Sequence, residues 1–319
     1  MRAVVLDGNA HNPGDLDWTP LKDLFDSVEI YDFLVDKEET VKRIGDAEFL
    51  FTNKAAITAD IIDACPNLKY IGEMATGYNN IDVAYATQKG IVCTNVPAYS
   101  TASVAQHTIA LLLALTNHVQ EHSETAKTGA WETAPQFCYW LSPIVELAGK
   151  TLGLVGFGNT GIQTANIAKA MGMKVLVYSR TVKPQYEDEN LRFASLDEVL
   201  ANSDVLSLHC PLNAATDKMI NANSIAKMKD GALLLNTARG GLLNEQDVAD
   251  ALNSGKLGGA ALDVLSTEPP KNNPLLQAKN CVLTPHIAWA SIEARTRLMD
   301  VVVQNAKSFI EGALQNVVN

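Results

Sequence analysis

A glycine-rich turn between a predicted strand and a predicted helix constrains the fold of this chain most. The apolar run Thr151–Val155 leads directly into Gly156-Phe-Gly158-Asn-Thr-Gly161, and a helical pattern follows. In such a G-x-G-x-x-G turn, the first glycine permits the tight bend, the second lets the backbone approach a pyrophosphate, and the third allows close packing. The helix N-terminus adds unpaired N–H groups. We therefore predict a dinucleotide site rather than a simple glycine-rich turn, with these coenzyme contacts: Gly156, Gly158, Asn159, Thr160 and Gly161.

The rest of the chain predicts an α/β fold with two Rossmann-like domains and parallel sheets. Its 319 residues suggest two domains at about 150 residues each. Short apolar runs alternate with helical patterns, which is typical of parallel sheets covered by helices. The predicted strands are Ala3–Asp7, Val28–Tyr31, Ala47–Thr52, Tyr70–Glu73, Ile91–Thr94, Thr151–Val155, Lys174–Tyr178, Val205–His209, Ala232–Asn236, Gly259–Val264 and Cys281–Thr284.

The last helical pattern, Ser291–Glu311, has no predicted strand beside it, so we expect it to return to the first domain. This predicts a smaller, discontinuous, flavodoxin-like substrate-binding domain formed by residues 1–98 and 290–319. Residues 99–289 then form the dinucleotide-binding domain. Thr101–Asn117 is apolar on nearly all sides, which indicates a buried helix. The aromatic-rich stretch Gly129–Pro143 either docks onto a second subunit or packs on the core of its own subunit.

Composition excludes several classes of protein. Lys and Arg total 25 against 36 Asp and Glu, so a net charge of −11 disfavours general nucleic-acid binding. The five cysteines are scattered without a C-x-x-C pair, which fits a reducing cytoplasm and no zinc ribbon. The longest apolar run, Ile109–Leu115, is far shorter than the roughly 20 residues of a membrane span. We expect a cytoplasmic protein without membrane or nucleic-acid partners.

The residues after the second strand of the dinucleotide domain favour one coenzyme. An acid about 20 residues beyond the glycine turn usually binds the adenosine ribose of NAD(H). Here the chain reads Ser179-Arg180-Thr181, with no acid. Arg180 could pair with a 2′-phosphate, and Ser179 and Thr181 could donate hydrogen bonds to it. NADP(H) is therefore favoured, and NAD(H) is possible if Arg180 only stacks on the adenine.

Three polar residues follow later strands of the same domain. Arg239 follows Ala232–Asn236, Glu268 lies beyond the strand that ends near Asp263, and His286 follows Cys281-Val-Leu-Thr-Pro. Because ligands bind at the carboxyl ends of parallel strands, these residues can converge on the nicotinamide. A histidine, whose ordinary pKa is about 6.5, exchanges protons readily at neutral pH, and a neighbouring carboxylate favours its charged form. The planar guanidinium of Arg239 can donate two parallel hydrogen bonds to a substrate carboxylate and could also polarise a carbonyl group.

With these residues in view, the sequence resembles the D-isomer-specific 2-hydroxyacid dehydrogenases, and most of all their glyoxylate/hydroxypyruvate reductase (glycerate dehydrogenase) branch. The resemblance covers essentially the whole chain, and one departure from the family pattern is Gln106, where the family usually has Glu. The segments that carry the resemblance are Ala75-Thr-Gly77-Tyr-Asn-Asn-Ile-Asp82, Asn95-Val-Pro97, Val104-Ala-Gln-His-Thr108, the glycine turn, Asn236-Thr-Ala-Arg239-Gly240, Ala261-Leu-Asp263-Val264, Glu268-Pro269 and Pro285-His286.

The resemblance implies reduction of a small 2-oxo acid, with hydroxypyruvate or glyoxylate favoured, to the D-2-hydroxy acid. It implies catalysis by His286, Glu268 and Arg239, and a homodimer. The backbone of Ala75, Thr76 and Gly77 would bind the substrate carboxylate, and Lys54 could add positive charge there. Cys210, Pro211 and Thr237 would lie along the coenzyme. Asp263 would bind the nicotinamide carboxamide or cap a helix.

Other functions remain open on the sequence alone. His118-Val-Gln-Glu121-His122 matches the H-x-x-E-H zinc-peptidase pattern, although a solvated helix face explains it more simply and we expect no metal. A D-3-phosphoglycerate or other D-2-hydroxyacid dehydrogenase is a close alternative. Formate dehydrogenases resemble the family too, but pair the histidine with Gln rather than Glu268. A non-enzymatic alternative is an NAD(H)-binding corepressor, although such proteins typically carry recruiting tails, which we do not find after the last predicted helix.

Overall fold

A computed structural model describes the whole chain, Met1–Asn319, as an α/β protein with twelve strands and eleven helices. The strands are β1 Arg2–Val5, β2 Ser27–Ile30, β3 Phe49–Thr52, β4 Tyr70–Glu73, β5 Val92–Thr94, β6 Thr151–Val155, β7 Lys174–Tyr178, β8 Leu191–Phe193, β9 Val205–Leu208, β10 Ala232–Asn236, β11 Leu257–Leu262 and β12 Cys281–Leu283. The helices are α1 Thr19–Lys22, α2 Lys37–Ile44, α3 Ala59–Ala64, α4 Val83–Gln88, α5 Thr101–Asn117, α6 Val119–Lys127, α7 Asn159–Ala170, α8 Leu196–Asn202, α9 Ala222–Lys227, α10 Glu245–Ser254 and α11 Ile292–Ile310.

The chain divides into two compact units. The smaller unit consists of Met1–Ser100 together with Ala290–Asn319, and the larger unit is Thr101–Trp289. Each unit is built around one sheet in which every strand pair is parallel. The predicted α/β class with two parallel sheets is therefore confirmed.

The smaller unit holds a five-stranded sheet in the order β2-β1-β3-β4-β5. Its central strands read as continuous apolar runs because helices cover both faces of a parallel sheet. Helix α11 belongs to this unit, and its Phe309 ring lies 5.5 Å from Phe49 and 5.1 Å from Tyr70. Ser291 caps this helix by accepting a hydrogen bond from the Ala294 N–H at 3.2 Å.

The larger unit holds a seven-stranded sheet in the order β12-β11-β10-β9-β6-β7-β8. The strand order reverses at β6, which pairs with β7 on one side and β9 on the other. Helix α5 packs within this unit against α7 and β11. Its burial explains the apolar residues around its circumference.

Strand β8 is the one element of this sheet that the sequence did not predict. It is a three-residue edge strand that pairs only with β7. Of Leu191-Arg-Phe193, only Leu191 is fully buried, so the segment has no apolar run to mark it. The predicted strands otherwise match the observed strands, with ends that differ by one or two residues.

No helix in the structure is both long enough and apolar enough for a bilayer span. All five cysteines are free thiols: Cys65, Cys93, Cys138, Cys210 and Cys281.

Candidate active site

The loops after the strands of the larger sheet carry almost every residue predicted to take part in chemistry. Because all seven strands run in the same direction, their carboxyl ends lie along one edge. Six of the seven strands are followed there by a predicted residue: Gly156 after β6, Ser179 after β7, Cys210 after β9, Arg239 after β10, Asp263 after β11 and His286 after β12.

The glycine turn has the shape of a phosphate-binding loop. Gly156 has φ +104°, and a Cβ there would lie 2.5 Å from the His209 carbonyl. A Cβ on Gly161 would lie 2.6 Å from the Gly156 carbonyl oxygen, whereas one on Gly158 would meet no atom within 4 Å. The protein's own packing therefore requires two of the glycines, while Gly158 faces open space.

The open space at Gly158 fits a pyrophosphate. The N–H groups of Phe157 and Gly158 donate to no acceptor in the protein, and α7 begins at the next residue, Asn159. Unpaired N–H groups and the positive end of a helix dipole are the usual protein contribution to phosphate binding. Asn159 is exposed and Thr160 is half-buried at the same helix end.

Two cationic side chains lie near this loop on the segment that follows β7. Arg180 is exposed and forms no ion pair, and its neighbours Ser179 and Thr181 are half-buried and exposed. Lys183, which sequence reasoning missed, donates from Nζ to the Phe157 carbonyl oxygen at 3.0 Å. The loop that binds the adenosine end of a dinucleotide in this fold is therefore cationic and contains no acid near the end of β7.

His286 and Glu268 form a close pair. His286 Nδ1 lies 2.6 Å from Glu268 Oε2, and Glu268 Oε1 accepts from the Leu265 N–H at 2.8 Å. The two side chains are 31% and 35% exposed, so a ligand can reach them. Since Nδ1 faces the carboxylate, Nε2 is the ring nitrogen left to exchange a proton with a substrate.

Asp263 holds the His286 turn in place. The His286 backbone has φ +55°, a left-handed conformation that is unfavourable for a residue with a Cβ. Asp263 is 2% exposed, and its carboxylate accepts from the Ile287 and Ala288 N–H groups, both at 2.9 Å, and from the Thr284 hydroxyl at 2.6 Å. Its backbone carbonyl accepts from the His286 N–H at 2.8 Å. No helix begins at Asp263, so the alternative that it caps a helix is wrong.

Arg239 lies on a turn that packs against the Glu268 segment. The buried Asn236 side chain brackets this turn, accepting from the Ala238 N–H at 3.0 Å and donating to the Arg239 carbonyl at 2.9 Å. A Cβ on Gly240 would lie 1.9 Å from the Leu265 carbonyl carbon, so the two backbones are in direct contact. The Arg239 guanidinium is exposed, bonds only to the Ala238 carbonyl and pairs with no carboxylate. It is therefore free to bind an anion.

The remaining predicted residues of this unit differ in what they could offer a coenzyme. Cys210 is partly buried, its sulfur lies 3.8 Å from that of Met219, and burial raises the pKa of its thiol. It can line a site but is not a reactive thiolate. Pro211 is exposed. The Thr237 hydroxyl is 2.8 Å from that of Thr108, which occupies it within the protein.

The smaller unit places the predicted substrate-binding residues at the carboxyl edge of its own sheet. Lys54 follows β3 and is exposed, and the Ala75–Gly77 turn follows β4. The N–H groups of Ala75, Thr76 and Gly77 donate to no acceptor in the protein. Three consecutive free N–H groups suit a carboxylate, and Lys54 follows the neighbouring strand of the same sheet.

The H-x-x-E-H segment forms hydrogen bonds within the protein. Both ring nitrogens of His122 are used, Nδ1 at 2.8 Å from the His118 carbonyl and Nε2 at 3.1 Å from the Leu141 N–H. His118 lies 3.6 Å from Glu121. The structure contains no cluster of three His, Cys, Asp or Glu side chains that could hold a metal ion.

Comparison with known proteins identifies the family of this site. Residues 109–288 match the model of the D-isomer-specific 2-hydroxyacid dehydrogenase NAD-binding domain. The chain belongs to the D-isomer-specific 2-hydroxyacid dehydrogenase family. It is 51% identical to a hydroxypyruvate reductase of Blautia hydrogenotrophica across the whole of both chains. The resemblance to the family's glyoxylate/hydroxypyruvate reductase branch is therefore confirmed.

Solved structures of other proteins resemble this dehydrogenase over its whole length. An acyclic imino acid reductase in complex with NADPH and D-Arg is 30% identical, with a TM-score of 0.84 over all of both chains. A D-lactate dehydrogenase from Aquifex aeolicus, in complex with NAD and lactic acid, is 31% identical, with a TM-score of 0.82 over 100% of this chain and 99% of the other. A nicotinamide coenzyme is thus common to these relatives.

Proposed function

We propose that this dehydrogenase reduces a small 2-oxo acid, hydroxypyruvate or glyoxylate, to the D-2-hydroxy acid, with His286 as the proton donor. The observation that carries the proposal is the 2.6 Å contact between His286 and Glu268, at the sheet edge that also bears the glycine turn. The kinship with a hydroxypyruvate reductase supports the choice of substrate.

The proposed reaction adds a hydride to C2 of the acid and a proton to its carbonyl oxygen. When bound, the coenzyme supplies the hydride. His286 Nε2 holds the proton that neutralises the developing alkoxide, and Glu268 stabilises the imidazolium and fixes the ring. Arg239 binds the acid and polarises the C2 carbonyl. The free N–H groups of Ala75–Gly77, with Lys54 beside them, bind the substrate carboxylate.

NADP(H) is the coenzyme we propose, with NAD(H) as the alternative. Support comes from Arg180, which has no carboxylate partner, and from Lys183 beside the glycine turn. Both suit a 2′-phosphate, and an acid that would repel it is missing from the end of β7. The remaining proposed coenzyme contacts are the carboxamide contact of Asp263 and the predicted contacts of Ser179, Thr181, Cys210, Pro211 and Thr237.

We propose that two copies of the chain form a homodimer through the aromatic segment at Gly129–Pro143. Phe137 is 87% exposed and Trp140 67%, and Trp131 Nε1 donates to the Phe137 carbonyl oxygen at 2.9 Å. Exposed apolar patches commonly mark sites of protein–protein contact. A second copy of the chain is the proposed partner because most soluble oligomers are symmetric homo-oligomers.

We also propose a cytoplasmic location. The five cysteines are free thiols, which suits a reducing compartment.

The proposal is tested by steady-state reduction of hydroxypyruvate, glyoxylate, pyruvate and 3-phosphohydroxypyruvate, each with NADH and with NADPH. Preferred turnover of hydroxypyruvate or glyoxylate supports it. A preference for the phosphorylated acid indicates a phosphoglycerate dehydrogenase. Coenzyme binding without turnover of any acid supports the corepressor alternative.

His286→Ala tests the proton donor. Loss of a general acid typically costs 10²- to 10⁴-fold, so we expect kcat to fall by at least about 100-fold. Coenzyme affinity, measured by fluorescence titration, is expected to change less than about twofold, because His286 does not belong to the glycine turn. A loss of kcat smaller than about tenfold would require a different proton donor.

A further inference from the structure

A cluster of buried polar side chains lies in the smaller unit, beneath the carboxyl edge of the five-stranded sheet. Its members are between 0% and 5% exposed, although residues of these types normally lie at the surface. None of them has a role in the proposed reaction or belongs to a recognised motif. They are Asp7, His11, Asn53 and Glu73.

Asp7 fixes the backbone that carries Lys54. It follows β1, and its carboxylate accepts from the Asn53 N–H at 2.9 Å and from the Lys54 N–H at 2.6 Å. Hydrogen bonds to a carboxylate are among the stronger ones in proteins. The turn after β3 is therefore held at the point where Lys54 leaves the sheet.

His11 and Asn53 fix the peptide that begins the Ala75–Gly77 turn. The Met74 carbonyl accepts from His11 Nε2 at 2.8 Å and from Asn53 Nδ2 at 3.1 Å, and Asn53 Nδ2 also contacts His11 Nε2. Burial lowers the pKa of His11 to about 4, so the ring is neutral. Because a carbonyl oxygen can only accept, Nε2 carries the hydrogen in the contact with Met74. The Met74 carbonyl and the Ala75 N–H belong to one planar trans peptide and point in opposite directions. Holding the carbonyl inward therefore directs the Ala75 N–H outward.

Glu73 and Asn80 fix the two ends of the same turn. Asn80 Nδ2 donates to Glu73 Oε2 at 3.0 Å and to the Ala55 carbonyl at 3.1 Å. Burial raises the pKa of Glu73 to about 9, so this carboxyl group is neutral at pH 7. It therefore supports the turn without placing a negative charge behind N–H groups that bind an anion.

We infer that Asp7, His11, Asn53 and Glu73 are positioning residues that aim the Ala75–Gly77 N–H groups and Lys54 at the substrate carboxylate. They act on the backbone and do not touch the substrate themselves. The inference rests on the proposed function, because it takes this turn as the carboxylate site. A purely structural role for the cluster is the alternative.

Asn53→Ala tests the inference by two readouts. The ¹⁵N order parameters of Ala75, Thr76 and Gly77, measured by NMR relaxation, are expected to fall to about 0.6 or below, the range of flexible backbone, because the Met74 carbonyl loses a donor. The KM for the 2-oxo acid is expected to rise at least tenfold, while kcat falls less than threefold and the coenzyme KM changes less than twofold. Asn67→Ala is the matched control, since Asn67 is exposed, forms no side-chain hydrogen bond and precedes the opposite end of β4.

A pair of substitutions at Glu73 tests the same inference if Asn53→Ala does not fold. Glu73→Gln keeps a neutral group that accepts from Asn80, so its KM is expected to stay within threefold of the original, whereas Glu73→Ala raises KM at least tenfold. Acid and coenzyme KM values that rise together, or unchanged order parameters at Ala75–Gly77, would overturn the inference. Absence of turnover by the unsubstituted enzyme would instead overturn the proposed function, and the order parameters of Ala75–Gly77 would still decide the role of the cluster.

Discussion

At the scale of single residues, the proposed preference for NADP(H) depends on Arg180. Arg180 is exposed and has no ion-pair partner, so its loss leaves the fold unaffected. Arg180→Ala is expected to raise the KM for NADPH about tenfold, equivalent to about 1.4 kcal/mol, because a cation facing the 2′-phosphate is lost. The KM for NADH is expected to change less than twofold.

Arg192→Ala is a suitable control for this prediction. Arg192 lies on the neighbouring strand β8 and pairs with Glu198 at 2.5 Å, so its replacement removes the same charge from the same unit. Equal losses for NADH and NADPH in Arg180→Ala would contradict a role in recognising the 2′-phosphate.

The buried carboxyl of Glu73 makes stability depend on pH. Its pKa is raised from 4.5 in the unfolded chain to about 9 in the fold, so the folded state binds more protons across that range. Stability contributed by this group is present below about pH 4.5 and is lost as pH rises towards 9. Glu73→Gln is therefore expected to reduce the fall in Tm between pH 7.5 and 9 by at least about 3 °C.

The window above pH 7.5 separates Glu73 from the buried histidines. Burial lowers the pKa values of His11 and His209 to about 4, so their effect is a loss of stability as pH falls below about 6.5. Glu38→Gln, on the exposed surface of α2, is the control. Parallel Tm profiles of the Glu73→Gln and unsubstituted proteins would show that Glu73 is ionised in the fold.

At the scale of elements, the glycine turn contains one glycine expected to matter for coenzyme binding alone and others that the packing of the protein also requires. Gly158 has φ −81°, and a methyl group added to it would meet no protein atom within 4 Å, so Gly158→Ala is expected to change Tm by less than about 2 °C. Coenzyme affinity, measured by fluorescence titration, is expected to fall at least tenfold, because the methyl group occupies the space for the pyrophosphate.

Gly161→Ala provides the contrast. Its Cβ would lie 2.6 Å from the Gly156 carbonyl oxygen, so this variant is expected to lower Tm as well as affinity. Unchanged coenzyme affinity in Gly158→Ala would place the pyrophosphate elsewhere.

Elements and turns differ in how far the sequence alone predicts them. The strands β4, β6, β7 and β10 match their predicted bounds because apolar residues make up most of each strand. The glycine turn is predictable because its chemistry depends on consecutive residues. The cluster at Asp7, His11 and Asn53 is not, because its contacts join residues that lie 21 to 63 positions apart. Lys183 was missed for the same reason, since its contact with Phe157 depends on how the chain folds back after β7.

At the scale of the whole molecule, the aromatic segment predicts self-association. Trp131, Phe137 and Trp140 are 58%, 87% and 67% exposed. Replacing Phe137 and Trp140 together by Ser is expected to convert a dimer into a monomer in sedimentation experiments, because the apolar area that drives association is lost.

Leu34→Ser is the control for the dimer prediction, since Leu34 is also a large apolar residue and is 52% exposed. It is expected to leave the mass unchanged. A monomeric unsubstituted chain at micromolar concentration would contradict the homodimer.

The uniform direction of the seven strands has a consequence for how this enzyme could diversify. The residues proposed for chemistry lie on connections outside the strand ladders, and only a few of them, such as Asp263, Gly156 and Gly161, also pack against the rest of the protein. Substitutions in the loops that do not pack against the sheet could change the acid that the enzyme accepts without lowering its stability. Substitutions at the packed residues would remove both activity and stability.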